Sequence, residues 1–285
     1  MPLWFARPAQ PAADRAGRSG FSQRESRTAK YPAGRHDALA PHGAAHMMRV
    51  EEHGMISLIG AACVFLGIHL LVSGTRLRDV ITRAIGENVY VGLFALASLT
   101  AIVWLCIAYN HACASADNRA IYDVGQTFRN LAILVVAVAF MLGVPGVLTG
   151  NPSSAGQEKA AVRGVLRITR HPFLWGAAIW SGFHLVASGT LASAIFFATF
   201  FLLAALGTRA IDAKCRRKRG AQWQALAAQT SNIPFAAIAS GRNHFVANEY
   251  FDWRFTVAFV EFLALLYFHN YLFSMSPFPG GWLPA

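Results

Sequence analysis

The stretch "ISLIGAACVFLGIHLLVS", residues 56–73, contains no Asp, Glu, Lys or Arg, and its one histidine is His69. A helix of roughly 17 to 25 apolar residues is long enough to cross a hydrocarbon layer of about 30 Å, so this stretch predicts a transmembrane helix. The composition agrees, because 55% of the residues are hydrophobic, 14% are charged and the mean hydropathy is +0.38. These values are untypical of a water-soluble domain.

Five further apolar blocks follow along the chain, at residues 89–109, 131–148, 172–187, 191–206 and 255–272. The block at 172–187 is short and would cross only with a close fit to its neighbours or a thinned bilayer. We therefore expect an all-α, polytopic transmembrane helix bundle of about six spans. After the fifth span, "GAQWQALAAQTSNIPF" at 220–235 favours a cytoplasmic interfacial helical segment.

The net charge is +11, and the cations are concentrated in connections beside the predicted spans. This distribution is the one that membrane topology produces. Cations cluster in three connections, at Arg76, Arg78 and Arg83, at Lys159, Arg163, Arg167 and Arg170, and from Arg209 to Arg219. The positive-inside rule places these connections in the cytoplasm and predicts a multi-pass protein of the cell inner membrane. We expect contact with membrane lipid and no nucleic-acid partner.

Residues 1–54 differ from the rest of the chain, because they are rich in Ala, Pro, Gly, Ser and Arg and lack apolar periodicity. This composition predicts a disordered N-terminal extension. The extension is interpreted as a start-site over-read, with the native start near Met47, Met48 or Met55. A cleaved targeting leader is the alternative.

Ionisable side chains inside a span are costly and mark candidate sites. His69 and His184 lie in different predicted spans, and two neutral imidazoles facing each other across a bundle can hold a haem iron. The alternative is a neutral imidazole bonded to a carbonyl or a serine of a neighbouring helix. Glu261 is a candidate proton-relay carboxylate or a partner for another polar group, and His269 is interpreted as interfacial.

The two candidate ligands lie at different predicted depths. At about 1.5 Å per residue, His69 lies roughly 8 Å and His184 about 18 Å from the inner ends of their helices, so a haem between them would be inclined. Arg170 and His171 start the fourth span, either as part of a basic collar at the lipid headgroups or as a grip on a haem propionate or another cofactor carboxylate. The absence of a C-x-x-C-H motif argues against a covalently attached haem and leaves a non-covalent haem open.

The chain resembles the NnrU family, which also includes the plant-type zeta-carotene isomerases. The resemblance covers about residue 55 to the end, the membrane domain at 55–285. It depends on "GIHLLVSGTRLRDVITRAIGENVYVGLFALASL" at 67–99, "LRITRHPFLWGAAIWSGFHLVASG" at 166–189 and "TSNIPFAAIASGR" at 230–242. For the isomerase branch the resemblance implies a b-type haem held by two histidines, which correspond to His69 and His184.

Two functions are implied by this resemblance. NnrU proteins are associated with nitrogen-oxide respiration and denitrification, so respiratory components of that system are the expected partners. The isomerase branch converts a cis bond of a carotene to trans, which implies haem-dependent cis-trans isomerisation of an apolar polyene substrate. The resemblance does not determine whether this chain catalyses a reaction.

A third reading starts from "RHPFLWG" at 170–176. This motif is similar to the RHP-x-Y-x-G motif of membrane methyltransferases that use S-adenosylmethionine. Leu174 stands in place of the motif tyrosine, and the downstream acidic pair is missing, because Asp212 is followed by Ala213. This reading predicts a degenerate methyltransferase. A non-catalytic haem sensor or assembly factor is a further possibility.

Overall fold

The computed structural model describes residues 54–154, 156–273 and 275–278. About 75% of the described residues are helical and none of them forms a strand, so the predicted all-α class is confirmed. The predicted disordered extension lies outside the described residues, except for Gly54, which begins the first helix.

The helices are α1 (Gly54–Leu66), a π-helix (Gly67–Ser73), α2 (Leu77–Ile85), α3 (Glu87–Ala114), α4 (Gly125–Arg129), α5 (Ala132–Leu148), α6 (Val165–Ile168), α7 (Pro172–Ser188), α8 (Leu191–Gln229), α9 (Ala236–Ala239), α10 (Ala247–Tyr250) and α11 (Trp253–Phe273).

Five of the helical stretches are long and apolar enough to cross a membrane, which identifies a membrane protein. They are Gly54–Ser73, Glu87–Ala114, Gly125–Leu148, Leu191–Gln229 and Trp253–Phe273. They contain the predicted first, second, third, fifth and sixth spans. The predicted short fourth span is α7, whose 17 residues extend about 25 Å.

The main helices pack in the order α11, α5, α7, α8, α1, α3. Helix α8 therefore lies between α7, which carries His184, and the helix that carries His69. Met55 of α1, Ala112 of α3 and Ala192 of α8 belong to one buried apolar cluster. Because the first residues of α1 and α8 meet there, α1 and α8 run in the same direction, and α7 runs in the opposite one.

Both ends of α7 are fixed by local sequence. Pro172 is its first residue, where proline's missing N–H is not needed by the helix. The helix stops at Gly189, whose φ of 68° is left-handed, and a Cβ there would lie 2.3 Å from the carbonyl oxygen of Tyr122. Glycine is required for both reasons, so the turn into α8 is short and α7 and α8 form an antiparallel hairpin.

Helices α5 and α7 approach closely through glycine. A Cβ on Gly176 would lie 2.6 Å from the carbonyl oxygen of Ala139 and 2.7 Å from Cα of Gly143. Small residues of this kind allow helix backbones to pack tightly in a membrane. Gly176 is therefore required for the close approach of α5 and α7.

We expect Gly176→Ala to lower the free energy of unfolding by about 1–3 kcal/mol, because the added methyl group must push α5 away from α7. The matched control is Gly92→Ala in α3, where an added Cβ meets nothing within 4 Å and the change should stay within about 1 kcal/mol. Chemical unfolding in mixed micelles measures both. Equal effects of the two substitutions would contradict the close packing.

Helix α8 continues well beyond the predicted end of the fifth span at residue 206. It has 39 residues and breaks only at Gly220, where φ is 47°. Trp223 and Leu226 are buried and pack with Cys215 against Val162. Gly220 leaves helical geometry, so the predicted helical segment that begins at residue 220 is a helix separate from that of the fifth span, and only the predicted end of the span's helix at residue 206 is corrected.

A charged pair ties two connections together outside the membrane. Arg167 donates from Nε and Nη2 to the carboxylate of Glu249 at 2.7 and 2.9 Å, and the N–H of Gly164 donates to the same carboxylate at 2.8 Å. These hydrogen bonds favour the ionised carboxylate and lower the pKa of Glu249 from its ordinary 4.5 to about 2.

This lowered pKa predicts the direction of a pH effect. A carboxyl group whose pKa is depressed by folding stabilises the folded state above its unfolded pKa, and loses that contribution as the pH falls through the folded pKa. The difference in thermal midpoint between the native protein and Glu249→Gln should therefore shrink as the pH falls from 4.5 towards 2.

The control for the pH effect is Asn243→Ala, which removes a neutral partner of Arg167. Its effect on the thermal midpoint should be the same across this pH range. A Glu249→Gln difference that stays constant with pH would contradict the assignment.

Candidate functional site

His69 lies on the π-helix that continues α1. Its Nδ1 donates to the carbonyl oxygen of Phe65 at 2.8 Å. Its ring packs against Phe65 and against Phe94 of α3, with centroid distances of 4.5 and 5.3 Å. π-helical turns are rare and are frequently found at functional sites, so this geometry is consistent with a functional role of His69.

His184 lies on α7 in a matching arrangement. Its Nδ1 donates to the carbonyl oxygen of Trp180 at 2.8 Å. Its ring packs against Trp180 and against Phe197 of α8, with centroid distances of 5.3 and 4.9 Å. The ring is half-buried among aromatic side chains, as the sequence predicts for this position.

The two histidines share one hydrogen-bonding pattern. A carbonyl oxygen can only accept, so each Nδ1 carries the proton and each Nε2 has its lone pair available. Among the described residues neither Nε2 has a hydrogen-bond partner. Metal-binding imidazoles use the same bond to a carbonyl to fix their tautomer and orientation. The alternative prediction was a hydrogen bond from a neutral imidazole to a carbonyl or a serine of a neighbouring helix. In the structure each imidazole bonds to a carbonyl of its own helix, and this bond leaves Nε2 without a partner among the described residues.

Aromatic rings connect the two imidazoles, which do not touch each other. Phe200 of α8 lies 5.7 Å from Phe65 and 5.7 Å from Trp180, measured between ring centroids. Each histidine turns back towards the start of its own helix. Because α1 and α7 run in opposite directions, the two side chains lean towards each other along the membrane normal. The difference in depth between the two rings is therefore smaller than residue counting predicts.

Two orphaned hydroxyl groups lie on the face of α3 next to His69. Among the described residues, the buried Tyr90 hydroxyl and the Ser98 hydroxyl have no hydrogen-bond partner. These residues are one helical turn before and after Phe94, which contacts His69. Buried polar atoms without partners are uncommon and point to a bound group. The sequence does not predict that Tyr90 and Ser98 belong to the site, because nothing in their spacing shows which face of α3 meets the π-helix.

Arg170 and His171 form a buried cluster with Asp212 of α8. Arg170 donates from Nε and Nη2 to the two carboxylate oxygens at 2.9 and 2.6 Å, and from Nη1 to the carbonyl oxygen of Thr230 at 3.2 Å. The Nε2 atom of His171 lies 2.6 Å from Asp212 Oδ1, and Asn232 donates to the other oxygen at 3.1 Å. The cluster joins the start of α7 to α8 and to the loop at 230–235.

The sequence did not predict this role of Asp212, which stood out there only as half of a missing acidic pair. The available signal was a lone carboxylate in a basic stretch. His171 is 4% exposed, so the predicted collar at the lipid headgroups is wrong for this residue. All three guanidinium nitrogens of Arg170 donate within the protein. The predicted binding of a haem propionate or another cofactor carboxylate by Arg170 and His171 stays a prediction.

The remaining predicted polar residues do not join the site directly. Glu261 is exposed on α11, where the surroundings in a membrane are lipid. His269 Nδ1 donates to the carbonyl oxygen of Met275 at 2.8 Å, close to the end of α11. Within the described stretches, no group of three or more His, Cys, Asp or Glu residues could hold a metal ion.

A cleft of about 310 Å³ lies between α5, α7 and α8. All its lining residues are apolar, and they include Val135, Ile179, Phe183 and Phe201. At 100° per residue, the cleft residues of α7 project from the side of the helix opposite to His184. The cleft and the two histidines are therefore separate features of α7.

The candidate site thus consists of two imidazoles on separate helices, each with an Nε2 that has no hydrogen-bond partner among the described residues, surrounded by aromatic rings. No curated protein and no solved structure matches this chain. The sequence model of the NnrU protein family matches residues 57–277, most of the chain and all of its spans except the first few residues of α1. The chain therefore belongs to the NnrU family.

Proposed function

We propose that this NnrU-family membrane protein binds one b-type haem, non-covalently, with His69 and His184 as the two axial ligands. The matched hydrogen bonding of the two imidazoles is the observation that supports the proposal. Each ring is oriented by a carbonyl of its own helix and keeps Nε2 unoccupied among the described residues. A neutral imidazole in this tautomer is the form that binds iron.

The surrounding residues fit a porphyrin in chemical character. Phe65, Phe200 and Trp180 would line it with apolar surface and exclude water. The two orphaned hydroxyl groups of Tyr90 and Ser98 offer donors on the α3 side. Bound there, haem would supply one-electron redox chemistry at the iron.

The family points to nitrogen-oxide respiration in the inner membrane as the setting of this chemistry. A haem held at both axial positions suits electron transfer or redox sensing, because neither position is open to a ligand. We infer that the partners are nitrogen-oxide respiratory components.

The absorption spectrum of the protein purified in detergent tests haem binding. We expect a Soret band, with sharp α and β bands after reduction, and a pyridine haemochrome of b type. The measured ratio should be one haem per chain. A protein produced with an adequate haem supply that shows no Soret band, and that takes up no added haem, would contradict the proposal.

A haem-dependent polyene isomerase is the second candidate. The apolar cleft beside α7 favours it, since a long apolar chain could enter such a cleft from the lipid. We rank it second because the cleft opens on the side of α7 opposite to His184. Co-expression with enzymes that make tri-cis zeta-carotene, followed by chromatography, should show conversion if this function applies. The degenerate methyltransferase is tested by S-adenosylmethionine binding in calorimetry.

A further inference from the structure

Arg78 of α2 and Tyr90 of α3 form a polar pair beside the proposed haem site. The Arg78 guanidinium carbon lies 5.2 Å from the centroid of the Tyr90 ring, so the cation covers one face of the ring. The Arg78 side chain is 11% exposed and Tyr90 is 6% exposed. Both side chains are thus largely removed from water.

The pair is connected to His69 by direct ring contacts. The Tyr90 ring stacks on Phe94 with a centroid distance of 5.8 Å, and Phe94 lies 5.3 Å from the His69 ring. Arg78 follows the π-helix that carries His69. The pair therefore lies at the end of the bundle that the charge pattern assigns to the cytoplasm.

Both members of the pair have donors that the protein leaves open. Within the described part of the chain, the Tyr90 hydroxyl has no partner. Arg78 donates through Nη2 to Glu87, and its Nη1 lies 4.0 Å from Asp79 Oδ1, an ion-pair distance that is too long for a hydrogen bond. The Glu87 side chain is 54% exposed. Arg170, by comparison, donates through three nitrogens, two of them to a carboxylate that is 11% exposed.

A buried phenol and a guanidinium with open nitrogens require an acceptor, and an anionic oxygen satisfies both. A carboxylate is flat and can accept from Arg78 and Tyr90 together. Haem carries two such carboxylates at one edge, while His69 would hold its iron nearby. The position and the chemistry of the pair therefore match a propionate.

We propose that Arg78 and Tyr90 bind a propionate carboxylate of the haem held by His69 and His184, which makes them positioning residues of the cofactor. This proposal rests on the haem site proposed above. It places the propionate edge at the cytoplasmic end of α3 and assigns this role to Arg78 in place of Arg170.

The experiment compares two ligands on each protein variant. Apoprotein in detergent is titrated with iron protoporphyrin IX and with its dimethyl ester, which lacks the two negative charges, and the Soret band reports binding. The ratio of the two dissociation constants cancels any general weakening of the site, because both are measured on the same variant. Circular dichroism confirms that each variant is folded.

The native protein should bind haem at least about tenfold more tightly than the diester. In Arg78→Gln and in Tyr90→Phe this preference should fall by about tenfold and about threefold. The matched control is Arg83→Gln, on the same helix, whose side chain bonds only to the backbone of Asp79 among the described residues. Its preference should equal that of the native protein.

The outcomes separate the two proposals. If the native protein binds neither ligand, the haem site fails and the propionate assignment fails with it. If Arg78→Gln keeps the native preference, the haem site stands and the assignment is overturned. If Arg78→Gln keeps the native preference for haem over the diester but loses co-purifying anionic phospholipid, a lipid phosphate is the ligand of Arg78 and Tyr90. This result also overturns the assignment.

Discussion

His184→Ala is expected to lower the haem content of the purified protein at least about tenfold, and His69→Ala should do the same. Each substitution removes one of the two proposed axial nitrogens and the carbonyl bond that orients its ring. The sharp α and β bands of the reduced protein should be lost in both. Absorption spectra and pyridine haemochrome assays of equal amounts of folded protein measure the effect.

The control for this prediction is His111→Ala. His111 is exposed near the end of α3. This variant should keep the native spectrum. Adding free imidazole to His184→Gly should restore the bands, because the cavity left by the side chain admits the ligand. Unchanged spectra in His69→Ala and His184→Ala would show that the ligand assignment is wrong.

Asp212→Ala is expected to lower the free energy of unfolding by about 3–5 kcal/mol. The substitution leaves the guanidinium of Arg170 buried without its carboxylate and removes partners of His171 and Asn232. An uncompensated buried charge is costly, because water no longer solvates it. Chemical unfolding in mixed micelles, followed by circular dichroism, measures the loss.

The matched control is Asp123→Ala, which removes the carboxylate of an exposed ion pair with Arg129. Its side chain is 69% exposed, so the change should be no more than about 1 kcal/mol. The double variant Asp212→Leu/Arg170→Met should be more stable than Asp212→Ala, because both charges leave together. Equal losses for Asp212→Ala and Asp123→Ala would contradict a buried network.

The transmembrane helices follow directly from local sequence. The apolar blocks at 56–73 and 255–272 lie within helices of the structure, because backbone groups in lipid must satisfy their hydrogen bonds within the segment. The ends of α7 were also readable, from Pro172 and Gly189. The continuation of α8 from residue 206 to the break at Gly220 was missed, since charged residues end a span in sequence but can extend a helix into water.

The candidate site was predicted only in part. His69 and His184 were identified from the cost of placing an imidazole in lipid, a property of each residue alone. The haem assignment itself stays a prediction. Arg170 and His171 were identified as part of a motif, but Asp212, the residue to which they bond, lies about forty positions later. Sequence spacing does not reveal such a partner.

The sequence by itself determined that this protein is a helical membrane bundle and which ionisable side chains its spans enclose, because hydropathy and charge act on each segment independently. The tertiary structure alone decided that Phe200 lies between the two histidine helices, that Asp212 pairs with Arg170, and that Arg78 covers Tyr90. These contacts depend on which helix faces pack together. Steric fit between whole helices sets that choice, and no single segment contains it.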